Sequence, residues 1–483
     1  MPESKRIHFI GVCGTAMATL AALLKRAGHR VQGSDENVYP PMSDFLVAEG
    51  IETFTGYAPD HIASDVDLVV VGNAISRGNA ELEAVLDRRQ RYCSLPEAVR
   101  DFFLWSASPV VLAGTHGKTT TTSLTGWLLT HAGLDPAVLV GGVALNFGDA
   151  GSSYRVGQGR HFVIEGDEYD SAYFDKTAKF LKYLPHVAVV NNVEFDHADI
   201  YADLDAVLLA FRRFVRLVPR NGLVLLGSDS PHALGLKGAV VGPVETFGLA
   251  AGADWQAHDV THRNGLTTFE VRRHGEPFGR FESPLLGEHN VRNALAGLAV
   301  GSHAGVPAAT LAAGLRAFRG IKRRLERVGE ARGVLVLDDF AHHPTAVQET
   351  LAAVRMGYPG RRIWAVFEPR SASSCRRVFQ DDFATAFALA DEVVVAPVFR
   401  SSLPESERLS VPQLVDDVRA RGRAARTLGG VDDIVATLTH EVRDGDLVVV
   451  MSNGGFGGIH KKLLAAIDAS AARSPESGAR EPR

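Results

Sequence analysis

The sequence predicts an α/β protein in which three successive segments each form a sheet of parallel strands. Two observations lead to this prediction. Short apolar strands alternate with helical patterns along the chain, which is typical of parallel α/β sheets. The 483 residues, 46% of them hydrophobic, are also sufficient for two to four domains with cores of their own.

Each segment has its own set of predicted elements. In the first segment we predict strand Ile7–Ile10, helix Met17–Ala27 and strands His29–Gly33 and Asp67–Gly72. The second predicts strands Val110–Ala113, Phe162–Glu165 and Ala188–Asn191, and the third predicts strands Gly333–Leu337, Ile363–Phe367, Glu392–Ala396 and Leu447–Met451. We therefore expect domains at 1–107, 108–320 and 321–468, with linkers at Trp105–Pro109 and Arg319–Glu326. Residues 469–483 are rich in Ser, Ala, Glu, Arg and Pro and are expected to be a disordered tail.

The composition argues against several classes of protein. Charged residues make up 22% of the chain and the formal net charge is -5, whereas nucleic-acid-binding proteins usually carry a basic surplus. No apolar run approaches the roughly 18 residues that a membrane helix needs, and no signal peptide is visible. Three widely spaced cysteines, Cys13, Cys93 and Cys375, argue against a disulfide framework. We expect a cytoplasmic protein that binds neither nucleic acid nor membrane. The sequence indicates no oligomeric state.

The clearest local motif lies between a predicted strand and a predicted helix that runs to about Ala132. It reads Gly114-Thr115-His116-Gly117-Lys118-Thr119-Thr120. Its glycines allow backbone N–H groups to surround phosphate oxygens, while the helix N-terminus and the Lys118 ammonium add positive charge. The Thr119 hydroxyl is expected on Mg²⁺. The alternative is a glycine turn that only caps the helix, and the combination of strand, lysine, threonines and helix argues against it.

Acidic residues follow the next two predicted strands. One strand continues into Glu165-Gly166-Asp167-Glu168-Tyr169-Asp170, and the other is followed by Glu194-Phe195-Asp196-His197. The carboxyl ends of strands in open α/β sheets meet at one edge, where ligands bind. A carboxylate there can hold Mg²⁺ against phosphate oxygens, and His197 offers a second metal ligand. Each cluster alone is equally compatible with a solvated acidic loop, but the phosphate loop beside them favours a metal–nucleotide site.

A second glycine turn, Gly11-Val12-Cys13-Gly14, follows the first strand and opens a helix, a geometry that suits a diphosphate. The next strand ends at Ser34-Asp35, where a dinucleotide-dependent enzyme has its ribose-binding acid. A dehydrogenase is therefore a rival interpretation, and the phosphate loop with metal ligands in the same chain argues against it. Cys13 has no assignable basic partner, so we expect a packing residue rather than a nucleophile.

Five motifs in this order resemble the Mur ligase family over nearly the whole chain. They are the phosphate loop, Glu165–Asp170, Glu194–His197, Gly287-Glu-His-Asn-Val-Arg-Asn293 and Asp338-Asp-Phe-Ala-His-His-Pro344. The resemblance implies a Rossmann-like N-terminal domain, a P-loop ATPase central domain and a Rossmann-like C-terminal domain. It also implies an ADP-forming ligase that uses ATP and Mg²⁺ to join an acid to an amine through an acyl phosphate.

The resemblance further implies roles for individual residues. Lys118, Glu168, His197 and His343 would be catalytic, and Thr119, Glu168 and His197 would bind metal. The ATP site would combine the phosphate loop with His289, Asn290, Asn293, Arg324 and Asp339. The UDP-sugar site would contain Gly11, Gly14, Ser34, Asp35 and Ser76, and the acceptor site Arg370, Ser452 and His460.

Segments in all three predicted domains bear on the substrates. Asn37-Val-Tyr-Pro-Pro41, Phe174-Asp-Lys176 and Ser452-Asn-Gly-Gly-Phe456 resemble the branch that joins UDP-N-acetylmuramate to L-alanyl-γ-D-glutamyl-meso-diaminopimelate in peptidoglycan recycling. L-Alanine is the alternative acceptor, and an ATP-driven switch protein is the alternative of another class. Two departures stand out: Leu209–Arg213 lacks the lysine that several members carbamylate, and Ser371-Ala-Ser-Ser374 replaces an expected Ser-Asn-Thr-Met in a loop expected to face the acceptor.

Overall fold

The computed structural model describes residues 4–39, 42–263, 265–399 and 403–471. Within these ranges the chain forms three large sheets in sequence order, flanked by helices, which confirms the expected α/β fold. Of the expected tail, residues 469–471 continue the last helix and residues 472–483 lie outside the described ranges. None of the described helices is long and apolar enough to cross a membrane.

The first unit is a fully parallel sheet. Its strands are β1 (Arg6–Ile10), β2 (Arg30–Asp35), β3 (Glu52–Thr55), β4 (Leu68–Val71) and β5 (Tyr92–Ser94), and its helices are α1 (Thr15–Arg26), α2 (Met42–Ala48), α3 (Ala80–Asp87) and α4 (Leu95–Val99), which continues into a π-helical turn, Arg100–Leu104. The strand order is β3-β2-β1-β4-β5, so the almost wholly buried β1 lies at the centre. The carboxyl end of β1 therefore opens onto the glycine turn before α1.

The second unit is built on a ten-stranded sheet. Its strands are β6 (Ser108–Ala113), β7 (Ala137–Ala144), β8 (Ser152–Arg155), β9 (His161–Gly166), β10 (Asp170–Ala172), β11 (Asp175–Ala178), β12 (Val187–Val190), β13 (Leu223–Gly227), β14 (Val244–Gly248), β15 (Trp255–Arg263), β16 (Leu266–Arg273) and β17 (Glu276–Ser283). Its helices are α5 (Lys118–His131), α6 (Leu204–Val215), α7 (Pro231–Leu234), α8 (Glu288–His303) and α9 (Ala308–Arg316). The order is β17-β16-β15-β14-β13-β12-β6-β9-β7-β8, and β10 pairs separately with β11.

The expectation of a purely parallel sheet is wrong for both edges of the second unit. β15, β16 and β17 pair antiparallel, and β8 pairs antiparallel with β7. The hairpin between β16 and β17 is a tight turn in which His274 and Gly275 both have positive φ angles. A parallel connection needs a crossover of a dozen residues or more, so this short turn forces antiparallel pairing.

The third unit is a six-stranded sheet with one antiparallel edge. It contains β18 (Glu326–Ala331), β19 (Val334–Asp339), β20 (Ile363–Phe367), β21 (Glu392–Val395), β22 (Ala424–Thr427) and β23 (Leu447–Met451), with α10 (Pro344–Gly357), α11 (Gln380–Ala386), α12 (Val411–Ala420), α13 (Val431–Glu441) and α14 (Ile459–Ala471). The order is β18-β19-β23-β20-β21-β22, with only β18 antiparallel to its neighbour. Short 3₁₀ turns complete the described connections.

The two segments expected to be linkers are more ordered than the sequence suggests. The end of Trp105–Pro109 already belongs to β6, which begins at Ser108. In the other, the Lys322 N–H donates to the Val143 carbonyl of the second unit (3.0 Å), whereas the Leu325 N–H donates to the Asp339 carboxylate of the third unit (2.7 Å). The chain therefore passes from one unit to the next within three residues.

A buried polar cluster lies on one face of the first sheet. The Glu81 carboxylate, wholly buried on α3, lies 3.2 Å from His8 Nε2 and 2.7 Å from His61 Nδ1, and it accepts a hydrogen bond from the Ala58 N–H. Burial alone would raise the pKa of Glu81, but hydrogen bonds from His8 and Ser34 hold it below its usual range. This carboxylate ties β1 and β2 to α3 and to the segment between β3 and β4.

We expect Glu81→Gln to destabilise the first unit by about 2–3 kcal/mol, because hydrogen bonds to a charged group contribute roughly 1.5–3 kcal/mol. A carboxylate with a lowered folded-state pKa stabilises above its unfolded pKa, and that stabilisation is lost as pH falls through the folded value. The variant should therefore lose stability at pH 7 and show a flatter pH dependence below about pH 4.5. Hydrogen exchange of peptides from β1 and β2 measures both effects.

The matched control is Glu52→Gln, which changes an exposed carboxylate on β3 of the same sheet. It should leave exchange in β1 and β2 unchanged. Equal protection in the wild type and Glu81→Gln would contradict the structural role of this carboxylate.

Candidate nucleotide and metal site

The phosphate loop lies at the carboxyl end of β6, at the middle of the second sheet. Gly114 and Gly117 have φ angles of 134° and 81°, conformations that residues with a side chain rarely adopt. A Cβ at Gly117 would also collide with the side-chain oxygen of Asn293. The glycines are thus required by both backbone conformation and space, and the helix that follows starts at Lys118 with its N-terminus facing the loop.

Lys118 folds back over this loop and meets a carboxylate. Its ammonium donates to the carbonyls of Gly114 (2.8 Å) and Thr115 (3.2 Å) and lies 2.8 Å from Glu168 Oε2. Burial alone would lower the pKa of Lys118, but the charges of Glu168 and Asp167 raise it above its ordinary value. The side chain is therefore a buried cation at the place where the loop would hold phosphate.

His197 joins the same carboxylate from the opposite side. Its Nε2 lies 3.0 Å from Glu168 Oε1, and its backbone has a positive φ angle of 56°. Burial alone would lower the pKa of His197, but the hydrogen bond and charge of Glu168 raise it. The structure thus brings together the predicted catalytic residues Lys118, Glu168 and His197, which lie up to 79 positions apart in the sequence.

The Thr119 hydroxyl contacts a different acid from the one expected. It donates to Glu165 Oε1 (3.1 Å), whose other oxygen accepts from the Gly141 N–H (2.8 Å), whereas Glu168 is engaged by Lys118 and His197. Glu165 is the acid that the assignment of metal ligands left out. The signal was present in the sequence, since Glu165 sits at the carboxyl end of β9, the strand that pairs directly with β6.

The donor groups around the loop suit a divalent cation that prefers oxygen. The carboxylates of Glu165, Asp167 and Glu168 are set against the ammonium groups of Lys118 and Lys179, and Lys179 lies 2.6 Å from Asp167. Burial raises the pKa of Glu165. This negative surplus, with the hydroxyl of Thr119 and the ring of His197 beside it, fits Mg²⁺.

The residues expected near the adenine support the loop. Asn290 donates to the Leu286 carbonyl (2.7 Å), Asn293 donates to Asn290 (3.0 Å), and Asn293 in turn accepts from the Thr121 hydroxyl (3.0 Å). These bonds fix the start of α8 against the start of α5. His289 is half-buried next to them, and burial lowers its pKa.

Arg324 and Asp339 meet at the junction of the second and third units. The Arg324 guanidinium lies 5.1 Å from the Phe340 ring centre, and its charge lowers the pKa of both Glu165 and Asp339 against the opposing effect of burial. The Asp339 carboxylate accepts from the N–H groups of Leu325 (2.7 Å) and Ala341 (2.8 Å). Asp339 therefore fixes the backbone at the junction, because both of its carboxylate oxygens accept hydrogen bonds from backbone N–H groups.

A cavity of about 820 Å³ extends from the first unit to Glu165 and Asp167 of the second unit. Of the five residues expected at the UDP-sugar site, Gly11, Gly14, Asp35 and Ser76 line it, together with Glu165 and Asp167 of the second unit. The expectation for Ser34 is wrong. Its wholly buried hydroxyl lies 3.2 Å from His8 in the Glu81 cluster, because alternate residues of a strand face opposite sides of the sheet.

Cys13 lies in the glycine turn beside this cavity. Burial and the nearby Asp35 raise the pKa of its thiol to about 11, so the thiolate is disfavoured. Its backbone N–H donates to Asp35 (2.9 Å), which keeps the glycine turn closed against the end of β2.

The residues expected at the acceptor site form one contiguous group in the third unit. Arg370 is partly exposed and lies over Gly454, with its guanidinium 3.6 Å from the Phe399 ring centre. The Ser452 hydroxyl is buried and donates to Glu368. His460 lies 3.2 Å from Asp338. Arg370 is the more exposed of the two and lies 3.6 Å from Glu368, the acid that also accepts from Ser452.

The third unit reaches the second through contacts between residues that are distant in the sequence. Ser373 donates to Asp196 and accepts from the His197 N–H (3.2 Å). His343 is buried beside the phosphate loop, where its Nε2 lies 3.3 Å from the Phe195 carbonyl and its ring centre 4.8 Å from that of His116. These pairs are more than 140 positions apart and carry no local pattern. The role of His343 as a base stays a prediction.

Comparisons with known proteins find similarity along almost the whole chain. Residues 6–104 match the Mur ligase family catalytic domain, residues 112–301 the Mur ligase middle domain, and residues 323–454 the Mur ligase glutamate ligase domain. An Escherichia coli protein named UDP-N-acetylmuramate–L-alanyl-γ-D-glutamyl-meso-2,6-diaminoheptandioate ligase is 42% identical, over 95% of this chain and 97% of its own.

Two further similarities bear on the branch of the family. A Clostridium novyi protein named UDP-N-acetylmuramate–L-alanine ligase is 34% identical, over 96% of this chain and 98% of its own. The crystal structure of a murein peptide ligase from Psychrobacter arcticus has a TM-score of 0.71 and 37% identity, over 96% of this chain and 99% of that one.

We expect Lys118→Ala to lower the rate of ADP formation by two to three decades, because one phosphate-binding cation is commonly worth about 3–4 kcal/mol in the transition state. Lys237→Ala, which removes an exposed lysine of the same unit, is the control and should keep wild-type turnover. The measurement is ADP release by a coupled assay, with thermal unfolding to check the fold. Near-normal turnover in a folded Lys118→Ala protein would remove this loop from the nucleotide site.

Proposed function

The chain belongs to the Mur ligase family, and we propose that it is an ADP-forming ligase that joins UDP-N-acetylmuramate to L-alanyl-γ-D-glutamyl-meso-diaminopimelate in peptidoglycan recycling. One observation carries the proposal. The cavity that begins at Gly11 and Gly14 ends at Glu165 and Asp167 beside the phosphate loop. A nucleotide sugar bound there would present its acid group to the terminal phosphate of ATP.

The reaction has to make a carboxylate reactive toward an amine. The lactyl carboxylate attacks the γ-phosphorus of ATP, which gives an acyl phosphate and releases ADP. The acceptor amine then attacks the acyl carbon, and inorganic phosphate leaves as the amide bond forms. Phosphoryl transfer of this kind depends mainly on alignment and on neutralising charge.

The residues of this chain supply both. The glycines of the loop direct N–H groups toward the phosphates, and Lys118 exchanges its contact with Glu168 for a phosphate oxygen. Arg324 adds positive charge from the junction, which partly opposes the effect of burial that raises the pKa of Glu165. The walls of the second and third units limit water access to the acyl phosphate.

The residues that would hold Mg²⁺ are Thr119, Glu165, Glu168 and His197, and the bound ion would supply positive charge against the charge that develops on phosphate oxygens. Glu168 is oriented for this role by His197 (3.0 Å) and by Lys118. Glu165 is oriented by the Gly141 N–H.

Two findings support the tripeptide over L-alanine as the acceptor. Two relatives named for the tripeptide reaction are 40% and 42% identical, against 32–36% for relatives named for the L-alanine reaction. Arg370 also presents a partly exposed guanidinium, which binds carboxylates bidentately, and the tripeptide carries several carboxylates. Because the reaction uses ATP and a UDP-linked sugar, we propose the cytoplasm as its location.

The function is tested by offering UDP-N-acetylmuramate, ATP and Mg²⁺ with either tripeptide or L-alanine, and by identifying the product by mass. We expect kcat/KM to favour the tripeptide by tenfold or more. A tenfold preference for L-alanine would make the enzyme an L-alanine-adding ligase. ATP turnover that needs neither the sugar nor an amine would instead indicate a switch protein.

Arg370→Ala should lower kcat/KM for the tripeptide by one to two decades, since it removes a bidentate carboxylate partner worth about 1.5–3 kcal/mol. It should leave the KM for ATP unchanged. Arg376→Ala, which removes a guanidinium paired with exposed Glu407, is the control and should change neither. Equal losses for tripeptide and ATP would exclude Arg370 from the acceptor site.

Glu165→Gln and Glu168→Gln should each shift the dependence of activity on Mg²⁺ to higher concentration, because each removes a charged oxygen ligand. Titration with MgCl₂ at saturating ATP measures the shift, and Glu276→Gln on the exposed hairpin is the control. A wild-type titration curve for Glu165→Gln would mean that Glu165 serves only to orient Thr119 and Gly141.

A further inference from the structure

A second group of metal-ligating side chains lies across the junction of the second and third units. It consists of His116 in the phosphate loop, Glu194 after β12 and His343 before α10, whose ligand atoms all lie within 4.8 Å of one another. We call it the junction triad. His116 Nε2 lies 3.2 Å and His343 Nδ1 lies 3.8 Å from the same oxygen, Glu194 Oε2. It shares no residue with the proposed Mg²⁺ ligands.

The contacts of His343 fix the state of its ring. Its Nε2 lies 3.3 Å from the Phe195 carbonyl, which can only accept a hydrogen bond, so Nε2 carries the proton. In the neutral ring Nδ1 then presents a lone pair. This atom is buried without a hydrogen-bond partner, in a side chain only 6% exposed, and it points at the Glu194 carboxylate.

A lone pair aimed at a carboxylate oxygen is an unfavourable arrangement unless a cation lies between them. The spacing suits a metal ion. Ligands about 2.0–2.1 Å from a tetrahedral Zn²⁺ stand a little over 3 Å apart, close to the separations of 3.2 and 3.8 Å in the triad. Two imidazoles and a carboxylate are also a donor set typical of Zn²⁺ with a fourth position for water.

The surroundings supply the outer contacts that a metal site needs. The Thr345 hydroxyl donates to Glu194 Oε2 (2.7 Å), and the Phe195 carbonyl orients the His343 ring. Such contacts set ligand geometry in metal sites. The other described His/Asp/Glu group, at His258, Asp259 and Glu270, is largely exposed and has no comparable buried lone pair.

We propose that the junction triad of His116, Glu194 and His343 is a binding site for Zn²⁺ or a similar transition-metal ion, separate from the Mg²⁺ site of the ligase. Because His116 belongs to the second unit and His343 to the third, the bound ion ties the two units together. Binding holds the junction closed and slows turnover, which needs the units to open for product release. Only this last consequence rests on the proposed function.

The binding test uses the full chain in saturating Mg²⁺ and measures Zn²⁺ by isothermal titration calorimetry, with Co²⁺ as a visible-absorption probe of tetrahedral coordination. We expect one Zn²⁺ per chain and a rise in melting temperature with Zn²⁺ concentration. Glu194→Gln and His343→Asn should weaken Zn²⁺ at least as much as the ~10–100-fold losses seen when outer contacts of a site are removed.

Two control variants separate this site from the others. His197→Ala removes a proposed Mg²⁺ ligand and His258→Asn alters the exposed group, and both should retain Zn²⁺ affinity and the Co²⁺ spectrum. If His343→Asn does not fold, His116→Asn in the partly exposed loop replaces it. Loss of Zn²⁺ in either control, unchanged affinity in the triad variants, or the absence of binding to the wild type would each overturn the proposal.

The activity arm is read separately from binding. Zn²⁺ should inhibit ligation in the wild type and lose that effect in Glu194→Gln, measured as the fold-change in the inhibitory concentration. Zn²⁺ binding to the triad in a protein without ligase activity would refute the proposed function and leave the site in place. Ligase activity without Zn²⁺ binding would do the reverse.

Discussion

The buried ion pair between Lys118 and Glu168 is the interaction on which the rest of the site depends. Two opposite charges about 4 Å apart attract each other by roughly 4 kcal/mol at an effective dielectric constant near 20. Removing either partner would therefore leave a buried charge unpaired at a large cost in free energy. Lys118 donates to carbonyls of the phosphate loop, and His197 contacts Glu168 Oε1, an oxygen that also accepts from Lys118. His197 is in turn held through its backbone by Ser373 of the third unit. Direct contacts thus connect Lys118 to Ser373 of the third unit. Phosphate binding at Lys118 has to break the first of these contacts, the pair with Glu168.

The junction between the second and third units is fixed by backbone geometry as much as by side chains. Arg323 and Leu325 have positive φ angles of 62° and 49°, which for residues with side chains cost of order 1–3 kcal/mol each. Their contacts offset this cost: the Asp339 carboxylate accepts from Leu325, and the Arg323 guanidinium donates to the carbonyls of Ser452 and Gly454 (2.5 and 2.7 Å). These bonds hold Arg323 and Leu325 to the third unit, whereas the Lys322 N–H is bonded to the Val143 carbonyl of the second unit, so the change of direction between the units is confined to these few residues.

Local patterns in the sequence predicted what local structure determines. The strand, glycine loop and helix around Lys118, and the gathering of acids at the ends of β9 and β12, follow from periodicity and from the geometry of parallel sheets. The sequence did not single out Glu165 beside Glu168, because the two acids lie three positions apart and the contacts of Glu165 with Thr119 and with Gly141 of β7 depend on packing. Ser34 was placed at the cavity because the sequence does not show which face of the sheet its side chain occupies. Contacts such as Ser373 with Asp196 join distant segments and leave no local signature.

The loop that departs from the family pattern shows how such distant contacts affect recognition. Ser371, Ser373 and Ser374 are buried: Ser374 accepts from the Arg370 N–H (3.0 Å), Ser371 donates to Ser374 (2.8 Å), and Ser373 reaches Asp196. The expectation that this loop faces the acceptor is therefore wrong for its serines. The third position keeps a hydroxyl where threonine is expected, so the link to His197 survives the change. The fourth exchanges an apolar side chain for a hydroxyl that braces the backbone of Arg370. The altered residues thus set the placement of Arg370, whose guanidinium lies over Phe399 and 3.6 Å from Glu368; under the proposed function this placement is how they would affect the acceptor.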